Sequence, residues 1–282
     1  MAFPSCWSPK RVRSQSLKFQ PDMSGFTVII PARQASTRLP GKMLADIAGK
    51  PMVIRVAEQA LASSARQVVI ATDHADIAKA ASAHGIQAII TKVEHPSGTD
   101  RLSEACATLG LQDDEIIVNV QGDEPLMDPK LINDVALTLA NDSTASIATC
   151  AAPIQDAEHL FNPNVVKAVA RRDGRALYFS RAPIPWSRDA LASGEKVLAP
   201  GLVALHHIGM YAYRAGFLRI FPNLAPGTLE QIESLEQLRA LEHGYHIALK
   251  TIAQHPGTGV DTIEDLLRVR SIFEQNQQKL TQ

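Results

Sequence analysis

The run Phe26-Thr27-Val28-Ile29-Ile30 is almost wholly apolar and stops at Pro31. It opens into a stretch, residues 31–42, that has neither helical nor strand period. That stretch carries the cations Arg33, Arg38 and Lys42, the hydroxyls Ser36 and Thr37, and Gly41. A buried strand that empties into a basic loop gathers charge at the carboxyl edge of a sheet, where open α/β sheets take their ligands. Guanidinium forks and an ammonium group there suit several phosphate oxygens at once, through charge-assisted hydrogen bonds. A solvated basic loop is the alternative, and the strand in front of it, which fixes the loop's position, speaks against it.

The pattern that follows alternates. Residues 51–64, 75–83, 99–109 and 129–140 have helical apolar spacing, and 67–71, 87–91 and 115–120 are short apolar strands between them. Strands apolar on both faces, separated by helices, predict a parallel sheet covered on both sides. After residue 144 the period changes. Segments 145–152, 165–170, 175–179 and 207–213 read as strands with few helices between them, an antiparallel or mixed extension. A helix over 229–243, a strand over 247–251 and a closing helix over 262–274 complete the chain, with 194–201 a surface loop. The expected fold is α/β: a central mixed, mostly parallel sheet with a smaller mixed α/β extension.

At 282 residues with a formal net charge of −1, the chain has no global field to draw nucleic acid or an acidic membrane, so any anion must be bound by local charge. Cys6, Cys106 and Cys150 are too few and too scattered for a disulfide framework or a cysteine zinc site. No apolar run is long enough to span a bilayer, and a cytoplasmic location is the default expectation. Residues 1–22 are rich in Ser, Pro, Lys and Arg. They read as a disordered extension, with Met23 opening one folded domain over 23–282; a basic, Ser-containing segment also fits an organelle transit peptide.

Candidate chemistry lies at loop ends. Asp123 follows the strand Ile116-Ile117-Val118-Asn119-Val120 inside Gln121-Gly122-Asp123-Glu124-Pro125. A carboxylate at a strand's carboxyl end suits Mg²⁺, which completes its shell with phosphate and water. Asp261, in the glycine-rich loop before the last helix, is its natural partner; spacing alone leaves it open between a ligand and a helix cap. The segment His95-Pro96-Ser97-Gly98-Thr99-Asp100-Arg101 is either a nucleotide-binding helix start or an ordinary capping loop. His207 and Tyr211 share a strand face, as a polar-ligand wall or a satisfied half-buried pair.

Taken in order, these motifs resemble a known family. From about Phe26 onward the chain is similar to the 3-deoxy-manno-octulosonate (Kdo) cytidylyltransferases, the CMP-Kdo synthetases. The resemblance rests on Ile30-Pro31-Ala32-Arg33 through Lys42, on the segments 95–101 and 119–125, and on Tyr178-Phe179-Ser180-Arg181-Ala182-Pro183-Ile184-Pro185-Trp186. It rests further on His207-Ile208-Gly209-Met210-Tyr211, Glu233-Ser234-Leu235-Glu236-Gln237-Leu238-Arg239 and Gly257-Thr258-Gly259-Val260-Asp261-Thr262. Gln34 stands where an aromatic residue is expected, and residues 1–22 lie outside the resemblance.

The resemblance implies a Rossmann-like nucleotidyltransferase fold and the reaction CTP plus Kdo to CMP-Kdo and pyrophosphate, which activates Kdo for lipopolysaccharide synthesis. It implies that Arg33 and Lys42 neutralise the triphosphate, while Ser36, Thr37 and Arg38 shape the loop. Asp123 and Asp261 would hold the Mg²⁺ bridging α-phosphate and sugar, a second Mg²⁺ sitting on the outer phosphates. Ser97, Gly98 and Arg101 match nucleotide-side residues. Gln121, Arg181, His207, Tyr211, Glu236 and Gln237 match sugar-side ones, Arg181 for the Kdo carboxylate and Glu236 for its hydroxyls. A homodimer through the mixed extension is implied as well. The alternatives are a cytidylyltransferase for 8-amino-Kdo or another nonulosonic acid, and a non-catalytic nucleotide-sugar binder.

Overall fold

In a computed structural model, residues 25–36, 38–257 and 259–280 are described; the N-terminal extension and Thr37 lie outside them. The first strand, β1 (Thr27–Ala32), alternates its side chains between two cores. Val28, Ile30 and Ala32 enter one buried cluster and Ile29 the other, the period-two consequence of a strand covered on both faces. A small hairpin, β2 (Asp46–Ile47) with β3 (Lys50–Pro51), leads into α1 (Met52–Leu61). Then come β4 (Gln67–Thr72), α2 (Ala75–Ala83), β5 (Gln87–Ile90), α3 (Gly98–Leu109), β6 (Ile116–Asn119) and α4 (Pro129–Ala140). These agree with the apolar spacing to within a few residues at each end, since stop signals such as left-handed Gly85 and Gly110 stand where the helices finish.

The second part runs β7 (Ile147–Pro153), α5 (Ala157–Phe161), β8 (Lys167–Ala170), β9 (Ala176–Ser180) and β10 (Leu205–Arg214). It ends with α6 (Ala215–Ile220), α7 (Thr228–Glu233), α8 (Gln237–Glu242), β11 (Ile247–Thr251) and α9 (Ile263–Leu280). Among the described residues the main sheet has nine strands, in the order β11-β7-β10-β6-β1-β4-β5, with the β8–β9 hairpin attached beside β10. The β6-β1-β4-β5 half is parallel. β10 runs antiparallel between β6 and β7, so the sheet is mixed, as the change of period after residue 144 predicts. Helices α1, α2, α4 and α9 pack on one face, and α3, α6 and α8 on the other.

One expectation is corrected. The single helix over 229–243 is two helices, broken at Ser234, whose φ is 52°. Tertiary bonds pull the chain out of helical register there. The Glu233 carboxylate accepts from Ser180 Oγ (2.6 Å) and the Arg181 backbone N–H (2.9 Å), while Arg181 Nε donates to the Glu233 carbonyl (2.7 Å). Helices α5 and α6 are too short for their periodicity to show in the sequence.

Candidate active site

Three loops at the carboxyl edge of the parallel strands enclose a cavity of about 380 Å³. The basic loop after β1 lines it with Arg33, Ser36, Arg38 and Lys42; the start of α3 adds Ser97, Gly98 and Arg101; the loop after β6 adds Gln121 and Asp123, and Asp261 closes it. Absent side chains let these loops meet. A Cβ on Gly122 would lie 2.9 Å from the Pro31 carbonyl, and one on Gly259 would lie 2.8 Å from both the Asp123 carbonyl and Glu124 Oε1. The Val260 N–H then donates to the Asp123 carbonyl at 2.8 Å, fastening the C-terminal loop to the β6 loop.

Electrostatics decides how the charges are arranged. Lys42 is pulled inward, its side chain only 9% exposed. A buried ammonium without a partner would cost several kcal/mol, and two carboxylates supply the partners. Nζ lies 2.6 Å from Asp123 Oδ2 and 3.2 Å from Asp261 Oδ1, and Arg38 Nη1 pairs with Asp261 Oδ2 at 3.1 Å. Asp261 is therefore not the cap of α9. Thr262 is, its Oγ1 accepting from the Asp265 N–H (3.2 Å) while the Asp265 carboxylate reaches back to the Thr262 N–H (3.1 Å), a reciprocal capping box. Glu124, which the sequence reading passed over, stands beside this pair. Burial first, then the negative charges of Asp123 and Asp261, pushes its carboxyl up to about 7. Its position next to a strand-end Asp was the available signal.

Arg33 is exposed and its guanidinium makes no hydrogen bond or ion pair among the described residues, which leaves it free for an anion. Arg101 is the opposite case. It lines the cavity, yet its guanidinium is spent on Asp73 Oδ2 (3.0 Å), the Lys92 carbonyl (3.2 Å) and Thr91 Oγ1. Asp73 Oδ1 in turn accepts the backbone N–H of Gln34 at 2.9 Å, so Arg101 and Asp73 brace the basic loop from below. Ser97 does cap α3, its Oγ accepting from the Asp100 N–H (3.2 Å), and it lines the cavity as well. The segment is thus a capping loop that also lines the cavity.

The remaining polar residues sit on β10 and the broken helix. A bulge between Ile208 and Tyr211 offsets β10 against β7. It inserts an even number of residues, so His207 and Tyr211 keep one face, their rings 5.4 Å apart. Thr149 anchors the bulge, donating to the Met210 carbonyl at 2.7 Å. Its single proton being so used, its Oγ1 accepts from His207 Nε2 at 3.0 Å. Burial pushes the His207 imidazole down to about 3 and keeps it neutral. Tyr211, Glu236 and Gln237 line a second cavity of about 20 Å³ with Thr99 and Tyr213, room for about one water molecule. Arg181 lines neither cavity; besides Glu233 its guanidinium donates to the carbonyls of Pro163 (3.0 Å) and Ser234 (3.4 Å). The thiols of Cys106 and Cys150 are buried and pushed up to about 12, far from nucleophilic use.

Comparison with known proteins places this geometry. Residues 27–252 match the cytidylyltransferase family. The chain is 56% identical over 250 residues to a 3-deoxy-manno-octulosonate cytidylyltransferase of Herminiimonas arsenicoxydans, covering 89% of this chain and 99% of that one. A solved CMP:2-keto-3-deoxy-manno-octonic acid synthetase complexed with CTP superimposes with a TM-score of 0.81 at 39% identity, over 90% of this chain and 100% of that one. A Methanothermobacter nucleotidyl transferase shares the fold alone, with a TM-score of 0.56 at 15% identity over 90% of this chain and 99% of that one. A mixed sheet with a basic loop at its parallel edge and this level of identity lead to one conclusion: the chain belongs to the cytidylyltransferase family, among the 3-deoxy-manno-octulosonate cytidylyltransferases.

Proposed function

We propose that this chain transfers CMP from CTP to Kdo, releasing pyrophosphate. The observation that carries the reading is the convergence of Lys42, Asp123 and Asp261 in a cavity whose outer wall is the free Arg33, in a chain 56% identical to a relative of that name. In such a transfer the bond from the anomeric oxygen to the α-phosphorus forms as the bond to pyrophosphate breaks. The protein's task is alignment and neutralisation of charge rather than covalent catalysis. Arg33 and Lys42 meet the triphosphate; Ser36 and Arg38, with Thr37 as the sequence implies, shape the loop around it. Ser97 and Gly98 form the wall on the nucleotide side, and Arg101 holds that wall to the loop. Gln121, His207, Tyr211, Glu236 and Gln237 face the sugar. Arg181 is proposed to act on the sugar side through the 233–234 turn it holds.

Two carboxylates from separate loops reach one cation of this chain, Lys42 Nζ, and their hard oxygen donors suit Mg²⁺. Asp123 and Asp261 would hold Mg²⁺, which when bound supplies positive charge against the phosphate oxygens. A homodimer through the mixed extension fits the large apolar side chains exposed there, Leu177, Trp186 and Val203. No helix among the described residues is long and apolar enough to cross a membrane, and cytoplasmic action is the proposed setting. The test is pyrophosphate release from CTP with and without Mg²⁺, against a panel of sugar acids that includes Kdo and 8-amino-Kdo. Metal-dependent release with Kdo supports the reading. Release with another acid alone, or nucleotide binding without turnover, overturns it.

A further inference from the structure

The start of α3 has two sides. Ser97 and Gly98 line the large cavity, whereas the next residue, Thr99, is 3% exposed and lines the small one. Thr99 Oγ1 donates to Glu236 Oε2 at 2.7 Å. Among the described residues this is the one hydrogen bond the Glu236 carboxylate receives; the nearby Arg239 guanidinium is taken by Glu230. Glu236 Oε1 is buried without a partner, and so is Nε2 of Gln237, a residue 7% exposed. A buried carboxylate with one donor is costly unless further donors arrive. The cavity it lines has room for about one water, which can bridge the two, and a ligand hydroxyl can take that water's place.

Resting on the reading of Glu236 as the acceptor for sugar hydroxyls, we propose that Thr99 is a positioning residue that ties the two substrate sites together. Its hydroxyl holds one oxygen of Glu236 and so fixes the carboxylate with the other oxygen bare for the sugar. Its backbone belongs to the first turn of α3, next to the Ser97 and Gly98 that line the large cavity, so the sugar's acceptor is held from that turn. A valine keeps the shape of the threonine side chain but lacks the hydroxyl, and could do neither.

Steady-state kinetics with each substrate varied in turn tests this. Thr99→Val should raise KM for Kdo by about tenfold or more, the effect of losing a hydrogen bond to a charged group, and change KM for CTP by less than about twofold. Thr99→Ser should return KM for Kdo to within about threefold of the parent value. In the background of Glu236→Gln, itself raised in KM for Kdo, Thr99→Val should add less than about twofold, because the two act as a unit. Thr99→Ala repeats the test should the valine variant not fold, with thermal melting as the check. Equal effects on both substrates, or full multiplication of the two substitutions, overturns the assignment. Failure of the underlying sugar reading looks different: Glu236→Gln would then leave KM for Kdo unchanged.

Discussion

The two halves of the site solve opposite problems. On the side proposed for the nucleotide the groups are charges on loops at strand ends, and apart from Arg33 they are paired: Lys42 with Asp123 and Asp261, Arg38 with Asp261, Arg101 with Asp73. On the side proposed for the sugar they are groups on a strand face and a broken helix, and two of their atoms are buried without a protein partner among the described residues: Glu236 Oε1 and Gln237 Nε2. A highly charged triphosphate can displace existing ion pairs, because what it offers is more charge. A sugar acid offers mostly hydroxyls, and a site built to bond hydroxyls discriminates through the groups it leaves unpaired when the wrong ligand binds. On the proposed reading, binding strength would belong to the loops and choice of substrate to the side formed by β10 and the broken helix.

The strongest way to break this contrast is at the shared carboxylates. Asp123→Asn and Asp261→Asn should each lower kcat by about 10²-fold or more, the scale of losing a preorganised charge in the transition state. Melting temperature should stay within a few degrees, since each substitution leaves Lys42 one carboxylate. Pyrophosphate release as a function of Mg²⁺ concentration checks it, and near-normal metal-dependent turnover in Asp261→Asn would remove that residue from the chemistry.

Next comes the joint between the loops. Gly259→Ala places a methyl group 2.8 Å from the Asp123 carbonyl. Displacing the loop by a fraction of an ångström should cost roughly ten- to a hundredfold in kcat while KM for Kdo holds. A larger change in KM for Kdo than in kcat would mean that the joint serves the sugar instead.

A smaller effect sharpens the β10 side. His207→Ala should raise KM for Kdo by about tenfold and spare KM for CTP. Thr149→Val should mimic it, since that hydroxyl holds both the imidazole and the bulge. If Thr149→Val were silent, His207 would be positioned by packing on Phe179 alone.

The smallest effect is one of pH. Burial lowers His206 to about 4 and His207 to about 3, and the His206 ring stacks on His255 at 4.4 Å. An unfolded chain protonates these rings near the ordinary value of about 6.5, so between there and the lowered values the unfolded state binds more protons. Stability is then complete above about 6.5 and is lost as pH falls toward 4. Melting temperature should drop across that window, and His206→Gln should flatten the slope. A slope unchanged in His206→Gln would place the acid sensitivity on other groups.

Most of the frame was readable because local signals agreed with the fold. Apolar runs marked the strands, and residues such as Ser97 and Gly85 stand at helix ends, where capping is a short-range event. That the basic loop and the β6 turn would line one cavity was readable for the same reason: each follows directly after a strand. What could not be read depends on contacts remote in sequence. The break at Ser234 is imposed by Arg181 and Ser180 from β9, and Arg101 is turned away from its expected duty by Asp73. Asp261 could not be told from a cap until Thr262 was seen in that role, and Glu124 draws its perturbed acidity from a neighbour brought in by the last loop.

That last loop has a consequence for how the molecule comes into being. Asp261 meets Lys42 across 219 positions of chain, held by a glycine without a side chain and one backbone hydrogen bond. During synthesis the basic loop, the β6 turn and the start of α3 emerge long before Asp261 does. A nascent or truncated chain that ends before this loop would present phosphate-binding groups with only half of the anionic pair, so it could capture nucleotide without spending it. On the proposed roles of Asp123 and Asp261, the order of the sequence ties competence to the final turn before α9.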